Sequence, residues 1–105
     1  MILDKKYVLH IPLSKYENDE LVSIDIDSIL DELIANLNQN SFYITKVESY
    51  YKNRQYDELL ITIFTDGNDA IEDIFKNWFL KNNNILKQEE YAYEINNNLI
   101  IEKFL

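Results

Sequence analysis

Residues 57–65, DELLITIFT, restrict the fold of this 105-residue chain more than any other stretch. Their apolar side chains point alternately to both faces of an extended segment, with Leu59, Ile61 and Ile63 on one face and Leu60 and Phe64 on the other. A strand with one face in water would instead alternate apolar with polar residues. We therefore expect residues 57–65 to form a central strand of a β-sheet.

In the rest of the chain, apolar residues repeat at two spacings, that of a strand and that of a helix. Alternating apolar residues predict further strands at residues 6–13, 42–51, 85–95 and 99–104. Apolar residues at the helical period predict one helix that Asp27 or Ser28 can cap and that reaches Leu37, and a second near residues 69–82. Tight turns are expected at the polar residues 52–55 and at 96–98, where asparagine tolerates a positive φ. Residues 14–25 are expected to be a surface connection, extended only at 21–24.

This order of elements is β-α-β-β-α-β followed by one extra strand. It predicts an α+β fold with a ferredoxin-like (split βαβ) antiparallel sheet, two helices on one face and an extra C-terminal strand. No repeat or linker divides the sequence, so we expect a single domain over residues 1–105. Many unrelated activities use such a sheet, so the architecture itself predicts no function.

The lone glycine of the chain, Gly67, lies in the acidic segment 66–69, DGND. This segment has the carboxylates of a calcium loop, but the glycine is misplaced and no glutamate follows at the spacing of an EF-hand. We therefore interpret it as a turn in which Gly67 has a positive φ and Asp69 caps the second helix, with Glu72 completing the capping pattern.

Several kinds of chemistry are excluded by composition. The chain has no cysteine and one histidine, which removes thiolate sites and most zinc ligands. No serine lies in a nucleophile motif, and no phosphate loop is present. We predict no catalytic residue, no metal and no cofactor, and the protein is more simply explained as a non-enzyme. The N-terminus lacks a signal-peptide pattern and no apolar run could span a membrane, so a cytoplasmic location is expected.

Negative charge is the strongest functional signal, with a formal net charge of −9. Such a charge argues against direct binding of nucleic acid or an anionic membrane, and it favours a protein partner with a basic surface. The carboxylates expected to contact that partner lie in and before the two predicted helices: Asp25, Asp27, Asp31, Glu32, Asp69, Glu72 and Asp73. Aromatic contacts are expected from four of the eight tyrosines: Tyr50, Tyr51, Tyr91 and Tyr93.

A second surface is predicted on the sheet face away from the helices. The alternation of the two central strands places five side chains there: Val8, His10, Leu60, Thr62 and Phe64. This mixture is too apolar to be left wholly exposed, so it is expected to bind a ligand or a second copy of the chain as a homodimer.

Three functions remain open from the sequence. The first is an inhibitor, immunity or anti-defence protein that occupies a basic, nucleic-acid-handling site on its partner. The second is a small-molecule-binding or enzymatic domain that uses the uncovered sheet face around His10. The third is a homo-oligomeric assembly module. Abundant Asn, Ile, Lys and Tyr, with one Gly and one Pro, indicate AT-rich codons and hence an AT-rich prokaryote or a phage.

Overall fold

The computed structural model describes residues 1–67 and 70–104 and confirms the α+β class. The strands of the main sheet are β1 (Lys5–Pro12), β4 (Ser41–Tyr51), β5 (Arg54–Thr65), β6 (Glu90–Ile95) and β7 (Asn98–Lys103). A separate hairpin consists of β2 (Ser14–Glu17) and β3 (Glu20–Ser23), and the two helices of the described residues are α1 (Asp27–Leu37) and α2 (Ile71–Leu86). No helix in these ranges is long and apolar enough to cross a membrane.

The main sheet has the strand order β4-β5-β1-β6-β7, and every neighbouring pair is antiparallel. The middle strand is β1, with β5 and β6 on either side of it, and β5 is an interior strand as its two-sided apolarity predicted. This order is compatible with the predicted ferredoxin-like arrangement, with β7 as the extra strand at one edge.

The hydrophobic core lies between the helices and one face of the sheet. Tyr7, Leu9 and Ile11 of β1 face the helices together with Ile61 and Ile63 of β5, and all five are buried. The helices contribute Ile29, Leu30, Leu33 and Leu37 from α1 and Ile71, Phe75, Trp78, Phe79 and Leu86 from α2. Trp78 also donates its indole N–H to the backbone oxygen of Ile29 at 2.9 Å, which ties α2 to the start of α1.

The second helix is longer than predicted, because the asparagine run at 82–84 does not end it. Asn82 is buried within the helix and donates its amide to the backbone oxygen of Trp78 at 2.9 Å. The helix ends at Lys87, which has a left-handed φ of 51° and donates its backbone N–H to Asn83. The strand predicted from residue 85 therefore begins only at Glu90.

The predicted caps differ from what is observed. No side chain caps α1, because its N-cap position is Ile26 and Ser28 instead donates its hydroxyl to the backbone oxygen of Asp25. Asp27 occupies the first turn of α1, where its charge is favourable next to the helix dipole. The cap predicted at Asp69 lies outside the described residues.

The expected surface connection at residues 14–25 contains a hairpin that the sequence pattern did not predict. Strands β2 and β3 pair antiparallel, and the turn between them uses Asn18 and Asp19 at positive φ values of 52° and 64°. Positive φ values at both turn residues match the right-handed twist of the two strands that such a turn connects. The predicted turn at Asn96 and Asn97 is confirmed by positive φ values of 47° and 71°.

Gly67 has a φ of 93°, as the turn interpretation requires, and Gly67→Ala is expected to lower the free energy of unfolding by about 1 kcal/mol. The nearest atom to an added Cβ would be the Lys5 side chain at 3.5 Å, so the cost comes from backbone conformation and not from a clash. Urea unfolding measures the loss. An unchanged midpoint, or a melting temperature that rises with added calcium, would contradict the turn interpretation.

Candidate functional site

The sheet face away from the helices, here called the open face, carries the five side chains predicted for it. Strand register pairs Val8 with Thr62 and His10 with Leu60, and their chain neighbours Tyr7, Leu9 and Ile11 point into the core. Val8 and Thr62 are nevertheless buried at 6% and 5% exposure by the surrounding side chains. The apolar surface that remains exposed on this face lies mainly on the edge strands, at Tyr43, Leu99 and Ile101.

His10 is held on the open face between carboxylates from both neighbouring strands. Its Nε2 lies 2.7 Å from Glu94 Oε2, and its Nδ1 lies 3.6 Å from Glu58 Oε2. Ser49 of β4 donates its hydroxyl to the same Glu58 oxygen at 2.7 Å. A chain of polar contacts therefore crosses four strands, from β4 through β5 and β1 to β6.

This arrangement shifts two pKa values in opposite directions. Glu58, and after it Glu94, raises the pKa of His10 against the opposing effect of burial, although Glu94 is the closer acceptor by distance. His10, and after it Ser49, lowers the pKa of Glu58, again against burial. Because both ring nitrogens face carboxylates, His10 could act as a base only by giving up one of these partners. The geometry favours a structural ion pair.

The pairing of His10 with Glu58 is expected to make the free energy of unfolding depend on pH, with one loss on the alkaline side and another on the acidic side. The contribution of His10 is fully present below the unfolded pKa of 6.5 and is lost as pH rises through the higher folded pKa. That of Glu58 is present above its unfolded pKa of 4.5 and is lost as pH falls through the lower folded pKa. The stabilising contributions of His10 and Glu58 are therefore both fully present between pH 4.5 and pH 6.5.

Urea midpoints measured across pH should show a loss above pH 6.5 that His10→Gln abolishes, with a size of about 0.2–1 kcal/mol, typical of a partly exposed pair. An alkaline loss of the same size in His10→Gln would show that other groups cause it.

A second feature is an open groove of about 910 Å³ at the end of the sheet where β1 stops. We call it the end groove. Its walls come from the end of β1, the β2–β3 hairpin, the first residues of β5, the α2–β6 connection and the end of β7. Glu58 lines it as well, so the groove borders the His10 cluster.

The end groove combines both signs of charge with aromatic surface. Its carboxylates are Asp57, Glu58, Glu89 and Glu90, its lysines are Lys15, Lys87 and Lys103, and its aromatic residues are Tyr16, Tyr56 and Phe104. Lys15 is engaged with Glu17 at 3.2 Å and with the backbone oxygen of Ile85 at 3.0 Å. Within the described part of the chain, Asp57, Glu89, Glu90, Lys87 and Lys103 form no ion pair within 4.0 Å. These five charges are available to a ligand.

Six of the seven predicted acidic contacts are described by the structure, and they lie on exposed positions in and next to the helical layer. Asp25, Asp27, Asp31 and Asp73 are exposed. Glu32 pairs with Lys81 at 2.7 Å, and Glu72 accepts a hydrogen bond from the Tyr7 hydroxyl at 3.2 Å. The seventh residue of that set, Asp69, lies outside the described residues.

The four predicted tyrosine contacts divide into two pairs. Tyr50 and Tyr51 are 70% and 65% exposed near the end of β4 and remain open to a partner. The prediction that Tyr91 and Tyr93 contact a partner is wrong, because each is only 5% exposed and packs against Phe75 under α2. Burial raises the pKa of Tyr93 to about 12, as expected for a phenol in the core. The alternation that placed these two rings on a strand was right, but they point to the helices.

The end groove was not predicted, because its lining comes from segments far apart in the chain. The sequence predicts a surface connection at Lys15 and Tyr16 and the middle of a strand at Glu89 and Glu90. The one available signal was the pair Asn18-Asp19, which favours a hairpin turn. Within the described residues, no group of three or more His, Asp or Glu side chains could hold a metal ion.

Comparison with known proteins finds solved structures with a similar fold. No family model and no curated protein matches the chain. The solved structure of a phage SAM lyase in the apo state matches with a TM-score of 0.57 at 13% identity, covering 95% of this chain and 89% of that one. A phage SAM lyase in complex with S-methyl-5'-thioadenosine matches with a TM-score of 0.55, at the same identity and coverage. At this identity the likeness shows a shared fold and nothing further.

Proposed function

We propose that this protein is an anti-defence-type phage protein that binds an adenosyl sulfonium compound, S-adenosylmethionine (SAM), in the end groove. The observation that carries the proposal is the composition of the groove, where free carboxylates, free lysines and aromatic rings surround one cavity. This differs from the sequence-based preference for an inhibitor, and it develops the alternative of a small-molecule site beside His10.

The charges of the end groove match the charges of such a ligand. SAM carries a cationic sulfonium, an ammonium group, a carboxylate and a flat adenine ring. Asp57, Glu89 and Glu90 can attract the two cations, and Lys87 or Lys103 can pair with the carboxylate. Tyr16 and Tyr56 offer ring surface to the adenine and to the sulfonium.

The size of the groove agrees with this ligand. A volume of about 910 Å³ lies within the range of roughly 300–1,000 Å³ that is usual for small-molecule sites. The fold likeness to a phage SAM lyase supports the same class of ligand, because one of the two matched structures holds S-methyl-5'-thioadenosine. The net charge of −9 further favours a cationic ligand over an anionic one.

Calorimetric titration with SAM and with S-methyl-5'-thioadenosine tests the proposal. We expect saturable binding of both with Kd values below about 1 mM. Chromatography of the SAM mixture, compared with SAM incubated without protein, then shows whether the protein accelerates formation of S-methyl-5'-thioadenosine, which would make it a SAM-cleaving enzyme and not a binder alone. Methionine, which lacks the adenine and the sulfonium, serves as the control ligand. Absence of binding at millimolar SAM would overturn the proposal.

The inhibitor hypothesis remains the second candidate, because Asp25, Asp27, Asp31 and Asp73 leave a strongly negative helical layer exposed. A basic partner docked there should associate more slowly as salt rises, since screening shortens the range of these charges. Asp31→Asn with Asp73→Asn should then slow association with a captured basic partner while leaving SAM binding unchanged. An unchanged association rate at low salt would remove this candidate.

Self-association through the open face is a further expected property. Leu99 and Ile101 of the edge strand β7 are 58% and 55% exposed on that face. The two carboxylates Glu58 and Glu94 of the open face are partly offset by His10, so this face repels a second copy less than the acidic helical layer would.

Sedimentation at high micromolar concentration should show a dimer that Ile101→Glu dissociates. Leu80→Glu is the matched control, because Leu80 is 49% exposed on α2 and lies on the other side of the molecule. A monomeric wild-type protein, or equal loss of the dimer in both variants, would contradict an interface on the open face.

A further inference from the structure

We infer that Tyr16, carried by the β2–β3 hairpin, is the residue on which the adenine ring of the ligand stacks. The inference rests on the proposed function and deepens it, because it assigns one part of the ligand to one side chain. Nothing in the sequence pattern singled out this tyrosine, which was placed in a surface connection.

The exposure of the aromatic rings in the end groove separates Tyr16 from the others. Tyr16 is 42% exposed, whereas Tyr56 is only partly exposed. Phe104 packs against Phe79 and Tyr91 with ring centroids 5.4 and 5.2 Å apart, so its ring is already engaged by the core. Tyr16 is therefore the aromatic side chain with most ring surface left for a ligand.

The hydroxyl of Tyr16 is occupied, which leaves its ring as the part that can contact a ligand. Arg54 donates from Nη1 to the Tyr16 hydroxyl oxygen at 2.6 Å, and the Tyr56 hydroxyl lies 3.5 Å away. The pKa of Tyr16 is lowered, first by its contact with Tyr56 and then by Arg54. The Tyr16 oxygen is thereby in contact with two polar side chains of β5.

The Arg54 side chain contacts the Tyr16 ring at its hydroxyl end. Its guanidinium carbon lies 5.5 Å from the centre of the ring, in a cation–π contact. The sole arginine of the chain therefore lies at the hydroxyl edge of the ring. The exposed remainder of the ring is the part that can take a flat base.

The hairpin that carries Tyr16 is held in place by contacts with the rest of the protein. Lys15 Nζ donates to the backbone oxygen of Ile85 at 3.0 Å, and Gln88 Nε2 donates to that of Ser14 at 3.2 Å. The contact from Arg54 ties the hairpin to β5 as well. The ring is thus fixed before the ligand binds, which reduces the entropy cost of stacking.

The test compares Tyr16→Leu, Tyr16→Phe and a matched control, Tyr43→Leu, in titrations with S-methyl-5'-thioadenosine and with adenosine. Tyr43 is 53% exposed on β4, outside the end groove. Loss of a stacking ring should weaken binding of both ligands by roughly tenfold or more in Tyr16→Leu. Tyr16→Phe keeps the ring and should stay within about threefold of wild type. Tyr43→Leu should bind as wild type does.

The outcomes separate this inference from the proposed function. If wild type binds S-methyl-5'-thioadenosine and Tyr16→Leu binds it equally well, the stacking assignment is overturned and the proposed function stands. If SAM and S-methyl-5'-thioadenosine fail to bind but adenosine binds in a Tyr16-dependent manner, the proposed function fails and the stacking assignment stands. If no adenine compound binds, both are overturned. The melting temperature of each variant, measured first, should match that of wild type, because Tyr16 is exposed.

Discussion

Phe75→Ala is expected to lower the free energy of unfolding by about 3–5 kcal/mol, the largest effect of any single substitution we consider. Phe75 of α2 is fully buried, and four aromatic rings surround it. The centroid distances from Phe75 are 6.2 Å to Trp78, 5.7 Å to Phe79, 5.7 Å to Tyr91 and 6.3 Å to Tyr93. Removing the central ring of this cluster leaves a cavity that four rigid neighbours can fill only in part.

Urea unfolding followed by circular dichroism measures this loss. Leu80→Ala is the matched control, because Leu80 lies on the same helix with half of its side chain exposed, and it should change stability by only about 0.5 kcal/mol. Since a domain of this size is stable by roughly 5–15 kcal/mol, the loss in Phe75→Ala is a large fraction of the total stability. Equal effects of the two substitutions would mean that α2 packs on the sheet through a different face.

The second large effect is expected on ligand discrimination. Replacing Asp57 and Glu90 together by their amides should weaken binding of SAM about tenfold, because each exposed charge pair contributes roughly 0.2–1 kcal/mol. Binding of S-methyl-5'-thioadenosine should change by less than about threefold, since this ligand has no sulfonium, ammonium or carboxylate. The loss should also shrink at high salt, where screening weakens the interaction in the wild type.

A matched pair of substitutions on the helical layer tests whether SAM binding depends on the charges of the end groove or on the net charge of the protein. Asp31→Asn with Asp73→Asn removes the same two charges from the helical layer, where both residues are exposed. If this pair weakens SAM binding as much as the groove pair does, the ligand responds to net charge and the end groove has no special role.

The fold was predictable because its determinants are local and periodic. The two-sided apolarity of residues 57–65 identified β5 as central, and the helical stripe from Ile71 to Phe79 identified α2. The end of α2 was mispredicted because asparagine disfavours helix interiors in general, whereas Asn82 is satisfied here by the backbone oxygen of Trp78. Propensity alone cannot anticipate such a contact.

The candidate site was predictable only in part, because its contacts join residues distant in sequence. The sheet face on which His10 lies followed from the alternation of side chains along β1, but its partner Glu94 lies 84 residues away in the chain. The end groove brings Tyr16 next to Tyr56, 40 residues apart, through a hairpin whose position no periodicity specifies. The burial of Tyr91 and Tyr93 depended on which strand face the helices cover, a question of register that tertiary packing decides.

Nuclear magnetic resonance during titration with S-methyl-5'-thioadenosine reports both whether this ligand binds and where it binds. We expect backbone amide shifts concentrated around the end groove, at Tyr16, Glu58, Gln88 and Phe104, and little change on the helical layer at Asp31 and Asp73. Shifts confined to the helical layer, or none with millimolar ligand present, would contradict the claim that the end groove is an adenosyl-binding site.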